Sequence, residues 1–159
     1  IMAQELADLR TSILEGRYAD ALALLDELEG ISKKATLRAI KSFVTRMLVH
    51  LIKNQLEQRL TNSWAASISD SIRQIQDLNL KENKTSHYIK LEEWEEIIEE
   101  EFEAAIDAAS IEIFEGNYSP FQLAEMVDKM QVIITAKQLL ALTYEHSAKT
   151  LATIIKENL

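Results

Sequence analysis

The chain has 159 residues, 47% of them apolar, which is enough to bury one substantial core. It has only three Gly and one Pro, so the turns that sheets consume are scarce and long helices with short links are expected. It has no Cys, which excludes disulfides, thiolate catalysis and Cys-ligated zinc. The lack of Cys also fits a reducing compartment, and we expect a cytoplasmic protein. No run approaches about 18 uninterrupted apolar residues, so no membrane span is predicted.

The net charge of −9 is distributed unevenly along the chain. Residues 32–60 hold seven Lys or Arg and one acid, a net charge of +6. Residues 91–115 hold eleven Asp or Glu and no Lys or Arg, a net charge of −11. The pattern therefore predicts one basic helix and one acidic helix within the same small protein.

The apolar spacing in the N-terminal part predicts two short helices. Residues 3–15 place Leu6, Leu9 and Ile13 on one side, and Gly16 follows as a C-cap. A second helix is predicted over 18–29 and is ended by Gly30. The link between them is so short that we expect an antiparallel helical hairpin.

The stretch 32–78 organises the prediction for the rest of the chain. Ser32 is expected to cap a long third helix, whose apolar residues recur at steps of three and four up to Leu56. Asn62-Ser63 interrupts this pattern, and Trp64, Ile68, Ile72 and Ile75 then resume it. Two helices therefore meet at a polar corner, with an indole just beyond it.

The C-terminal half continues in the same way. Residues 79–90 are polar and aperiodic and are expected to form a loop, whereas 91–115 form a fifth helix with an apolar stripe opposite its glutamates. Ser119-Pro120 opens a short helix ending near Asp128, and helices follow over 132–144 and after Ser147.

The predicted fold is all-α: a single domain over 1–159, a helical bundle of about six to eight helices with a long, central third helix. Seven large side chains are expected in its core: Phe43, Met47, Leu48, Leu51, Trp64, Trp94 and Phe102. On this basis Trp64→Ala would cost on the order of 3–5 kcal/mol.

The strongest candidate site is the polar corner, comprising His50, Lys53, Arg59, Asn62, Ser63 and Trp64. The start of the fourth helix could bind a phosphate or carboxylate there, and His50 could act as a base or an anion contact. The structural interpretation is favoured: a capping group, a core Trp and a neutral helix-edge His whose pKa is lowered by basic neighbours. Ser63 lacks the strand and glycines of a nucleophile elbow, so no catalytic residue is assigned.

The hypotheses of a metal or cofactor site and of a nucleic-acid interface have less support. The acidic helix has no Glu-x-x-His pair, and no His-Glu-x-x-His occurs in the chain, so no metal or other cofactor is expected. The basic third helix could contact nucleic acid, but the net charge is negative and no aromatic or Gly-rich recognition element accompanies it. Nucleic acid is therefore disfavoured as a partner.

The sequence resembles a family of uncharacterised bacterial proteins, abundant in cyanobacteria, called domain of unknown function twenty-nine. The shared features are the acidic segment 25–29, the run His50-Leu51-Ile52-Lys53, and Asn62-Ser63-Trp64 followed by Ile68. The resemblance covers roughly 2–113, and this chain has Ala65 where members often carry a basic residue. Members often begin with an acidic-aromatic stretch, so we expect an N-terminal piece before Ile1-Met2 unless Met2 is the start. The family implies no activity.

The leading functional hypothesis is a non-catalytic protein-interaction or regulatory module. The alternatives are a small-anion binder or enzyme using the polar corner, and nucleic-acid binding through the basic helix. Homo-oligomerisation is also expected, with the apolar segment from Val132 onward as the contact.

Overall fold

The computed structural model describes residues 2–81 and 85–159, and its fold is all-α, which confirms the predicted class. Within those residues there are seven α-helices and no strand. They are α1 Met2–Leu14, α2 Tyr18–Glu57, α3 Asn62–Asn79, α4 Trp94–Glu112, α5 Pro120–Met126, α6 Lys129–Glu145 and α7 Ala148–Asn158. Short 3₁₀ turns, Leu91–Glu93 and Ile113–Gly116, flank α4. None of the described helices combines the length and the apolar character required to cross a bilayer.

The long helix starts earlier than the sequence predicted. The predicted break at Gly30 and the predicted cap at Ser32 are wrong, because α2 runs without interruption for 40 residues. Gly16 adopts φ +74° and ends α1 as expected, whereas Gly30 keeps helical φ. A mid-helix Gly costs only about 1 kcal/mol relative to Ala, so the helical pattern on either side of it prevails.

The chain forms two compact units, Ile1–Arg38 and Ala39–Leu159. In the first, α1 folds back on the start of α2 as the predicted antiparallel hairpin, and Asp8 and Ser12 of α1 line one cavity together with Leu24 of α2. The backbone N–H of Arg17 donates to the carbonyl of Ser12 at 2.8 Å and fixes the turn. Ser12 of α1 and Ala21 of α2 are buried, and both are small.

The second unit contains the apolar core. Five of the predicted core side chains are buried: Met47, Leu48, Leu51, Trp94 and Phe102. Phe43 and Trp64 are only half-buried, so their assignment to the core was wrong. The segment from Val132 onward is packed inside this unit through residues such as Ile133, Leu140 and Ile155, with α6 against α4 and α7 against α3. Its apolar residues therefore do not form the free stripe that was expected to mediate oligomerisation.

A polar network holds the segment after α3 in place. Residues 82–84 of the predicted 79–90 loop lie outside the described residues, and Leu80 and His87 form an isolated bridge. The Asn79 side chain exchanges two hydrogen bonds with the backbone of Ile89, at 2.7 and 3.0 Å. The Tyr144 hydroxyl donates to the carbonyl of Ile89 at 2.6 Å and accepts from the indole N–H of Trp94 at 2.7 Å. Burial raises the pKa of Tyr144, which keeps the hydroxyl protonated as this network requires.

The later helix starts follow the sequence signals. Ser119 caps α5: its hydroxyl accepts a hydrogen bond from the backbone N–H of Gln122, and the side-chain oxygen of Gln122 accepts one from the backbone N–H of Ser119. Pro120 occupies the first helical position. α4 ends three residues before the predicted Glu115, because Phe114 and Glu115 adopt positive φ of 50° and 60°.

Candidate functional site

The predicted polar corner lies within the second unit, where α2 gives way to α3. His50 and Lys53 lie on the last turns of α2, and Gln58, with φ of 52°, takes the chain out of the helix. The cap of α3 is Thr61, whose hydroxyl accepts from the backbone N–H of Trp64 at 3.1 Å. Sequence reasoning missed Thr61, although Thr directly before an apolar helical pattern is itself a capping signal.

The structure brings three of the six corner residues together around the indole. The Nζ atom of Lys53 lies 5.8 Å from the ring centroid of Trp64, and the guanidinium carbon of Arg59 lies 5.4 Å from it. Lys53 forms an ion pair with Glu112 of α4, and Arg59 pairs with Glu57 at 3.3 Å. The two cations therefore already have carboxylate partners as well as an aromatic face.

The remaining corner residues do not converge on the indole in the same way. Asn62 and Ser63 are exposed on the first turn of α3. The Nδ1 atom of His50 is enclosed and has no hydrogen-bond partner among the described residues. Burial lowers the pKa of His50, with Lys53 and Arg46 lowering it further and Glu112 opposing them. The imidazole is therefore neutral near pH 7, as a structural His would be.

The basic and acidic helices neutralise one another locally. Lys41 pairs with Glu100 of α4 at 3.5 Å, and Arg46 pairs with Asp70 of α3 at 3.1 Å. Glu99 of α4 pairs with Lys129 of α6 at 2.9 Å. These pairs reduce the free positive charge that phosphate binding along α2 would need. No group of three or more His, Cys, Asp or Glu that could hold a metal ion occurs in the described part of the chain.

A cavity of about 460 Å³ lies between α3 and the junction of α6 with α7. Its lining includes His87 and His146, which come from segments too distant in sequence for spacing to reveal the cavity, and none of the six predicted corner residues. Gln76 donates to the carbonyls of Thr143 and His146 at 3.0 and 2.8 Å. The His87 ring packs on Tyr144 with centroids 4.6 Å apart. Gln76 and His87 are therefore both engaged with groups of α6 and the segment that follows it.

The N-terminal hairpin presents a different kind of surface. Among residues 3–38, Ser12 and Ala21 are buried and every large apolar side chain is at least partly exposed. The side chains of Leu6, Ile13, Leu22 and Leu25 are between 42% and 62% exposed. A groove of about 350 Å³ runs along α1 and is lined by Leu6, Leu9, Arg10, Ile13 and Leu14. We call these four exposed residues together with this groove the hairpin face.

The sequence pattern placed apolar residues on one side of each of these helices but could not show that they remain uncovered. An exposed apolar cluster on a small helical unit is typical of a protein–protein contact. Of the surfaces described, the hairpin face is therefore the strongest candidate functional site.

Comparison with known proteins assigns the chain to a family and gives it no activity. The model of one family, Domain of unknown function DUF29, matches residues 3–150 and so extends over both compact units. No curated protein and no solved structure matches the chain significantly. The match extends well beyond half of the 159 residues, and the chain therefore belongs to the family Domain of unknown function DUF29.

Proposed function

We propose that this protein is a non-catalytic protein-interaction module, of a kind used in scaffolding or regulation, that binds through the hairpin face. The observation that supports this is that residues 3–38, the part of the first unit whose side chains the structure describes, bury no large apolar side chain. Leaving several leucine-sized side chains in water forgoes roughly 1.5–3 kcal/mol for each one that a partner could bury. A surface of this kind gains most when another apolar helical surface covers it.

The domain organisation and location are part of the same proposal. One family model extends over both units, which supports treating them as one functional domain. The absence of Cys supports a cytoplasmic location, where thiols and disulfides are not needed for stability.

The two alternatives from the sequence have weaker support. A small anion at the polar corner would have to compete with Glu112 for Lys53 and with Glu57 for Arg59. Nucleic acid along α2 would have to displace acidic partners from Lys41 and Arg46. Neither alternative is supported by a site whose charges are free and convergent.

The proposal is tested by placing a photo-crosslinking amino acid at Leu22 in the full-length chain, in the host cell. Phe121 is the matched control, because it is also a large apolar residue on a helix surface and is 85% exposed. We expect a discrete crosslinked protein species from position 22 and none from position 121. Equal crosslinking at the two positions, or none at position 22, would contradict an interaction at the hairpin face.

A further inference from the structure

The hairpin unit lacks the usual internal means of stabilising a very small fold. Helical units below about 40 residues generally need disulfides, metal ions or association with another chain. This chain has no Cys, and the described residues offer no metal-binding cluster. Building on the proposed function, we infer that the partner covering the hairpin face is the hairpin face of a second copy of this chain. The hairpins of the two copies together form a four-helix bundle with two-fold symmetry.

The apolar residues of the two helices lie on one face of the hairpin. Ser12 of α1 and Ala21 of α2 are buried, and Ser12 lines one cavity together with Leu24 of α2, so we take these positions as the sides on which the two helices face each other. Ile13 follows Ser12 by one position and Leu22 follows Ala21 by one position, so each is rotated by about 100° from its contact line. Because the helices are antiparallel, these two rotations carry the side chains to the same face. Leu6 and Leu25 fall on that face by the same geometry.

The shape of this face suits a second copy. Because the turn at residues 15–17 lies midway between Ser12 and Ala21, Leu22 and Leu25 lie level with positions about 11 and 8 of α1, between Leu6 and Ile13. That is the level of the groove along α1, which has a volume of about 350 Å³. A two-fold axis parallel to the helices places α2 of one subunit over α1 of its partner. Leu22 and Leu25 then enter the partner's groove, as knobs enter holes in a helical bundle.

Charge selects this axis over the alternative. Arg10 and Asp26 are exposed and flank the apolar residues on the outer edges of α1 and α2, respectively. With the axis parallel to the helices, Arg10 lies beside Asp26 of the partner subunit, offset by about three residues or 4.5 Å along the helix. An axis perpendicular to the helices would instead place Arg10 near Arg10 of the partner subunit. The interface is thus self-complementary in shape and charge only for the parallel axis.

The mass of the full-length chain, measured by sedimentation velocity over a concentration series, tests this inference. We expect a dimer, and we expect Leu22→Glu to weaken it by more than about 100-fold, because a charge would enter the apolar centre. Phe121→Glu, at an exposed site on α5, should leave the dimer unchanged. The near-UV circular dichroism of the two Trp residues, which both lie in the second unit, should be unchanged in both variants and would show that this unit remains folded. A chain that stays monomeric up to its solubility limit would overturn the inference.

The pairing of Arg10 with Asp26 is tested by charge reversal. Arg10→Glu or Asp26→Arg alone should weaken the dimer roughly tenfold, since each change affects two symmetric contacts, and the double variant should restore it. Because the natural chain has no Cys, introduced cysteines are unambiguous reporters. Arg10→Cys combined with Asp26→Cys should yield a disulfide-linked dimer on mild oxidation, and neither single variant should. A covalent dimer from Arg10→Cys alone would overturn the parallel axis.

These results separate this inference from the proposed function. A monomeric chain that still crosslinks a different protein from position 22 would overturn self-association and leave the interaction role intact. A dimer unaffected by Leu22→Glu would overturn the hairpin-face dimer, and only a lack of crosslinking from position 22 would also overturn the proposed function.

Discussion

Tyr144→Phe tests the polar network that joins α3, α4 and α6, because it removes one oxygen and almost no volume. The hydroxyl accepts from Trp94 Nε1 at 2.7 Å and from Asn79 Nδ2 at 3.1 Å, and it donates to the carbonyl of Ile89 at 2.6 Å. In the variant, Asn79 and Ile89 keep their mutual hydrogen bonds. The indole N–H of Trp94, whose residue is 1% exposed, is left without a partner.

The expected loss in the free energy of unfolding comes mainly from the indole N–H of Trp94, which is left without an acceptor. A buried unsatisfied polar group costs about 1–3 kcal/mol, and the lost bond to the Ile89 carbonyl adds about 1 kcal/mol. The free energy of unfolding should therefore fall by on the order of 2–4 kcal/mol. Urea denaturation followed by far-UV circular dichroism measures this difference, and an unchanged m value would show that the surface exposed on unfolding is the same.

Two controls make this prediction refutable. Tyr118→Phe, on a 40% exposed side chain, should change the free energy of unfolding by less than about 0.5 kcal/mol. Combining Tyr144→Phe with Trp94→Phe removes the orphaned donor, so the double variant should be more stable than the sum of the single losses by about 1 kcal/mol or more. A Tyr144→Phe variant as stable as the natural chain, or an additive cycle, would refute the reasoning.

Three further predictions concern the polar corner and the core. Trp94→Ala should lower the free energy of unfolding by about 3–5 kcal/mol. Trp64→Ala should lower it by only about 1–2 kcal/mol, because Trp64 is half-buried. Equal losses of stability in urea denaturation would contradict this prediction. Glu112→Gln should lower the free energy of unfolding more than Lys53→Met does, because it leaves the Lys53 ammonium unpaired on a side chain that is only 10% exposed. In Lys53→Met the unpaired carboxylate is that of Glu112, which is 57% exposed and stays hydrated. The reverse order of the two losses would refute this prediction. The lowered pKa of His50 means that the unfolded chain binds a proton before the native chain does, so stability is lost as pH falls from about 6.5 toward the native pKa. His50→Gln should reduce that loss below about pH 6.5, and an identical pH profile of the free energy of unfolding would contradict the assignment.

Local chemistry was sufficient to predict much of the helical architecture. Ser119 and Pro120 carry a capping hydroxyl and a preset φ, so the start of α5 was readable from the residues alone. Gly30 shows the limit of such signals. Its open surroundings and helical φ let α2 continue, because one glycine costs less than breaking a long helical pattern.

The order of apolar and polar residues along the chain was enough to predict an all-helical fold with amphipathic faces. It could not distinguish Trp64 from Trp94, which each follow a polar segment at a helix start, yet only Trp94 is sealed beneath other helices. It also gave Leu22 and Ile68 the same helical spacing, whereas the structure leaves Leu22 62% exposed and buries Ile68 completely. The spacing along a helix fixes which side chains share a face. Whether that face is covered depends on which elements pack against it, and that information lies in contacts between residues far apart in the chain.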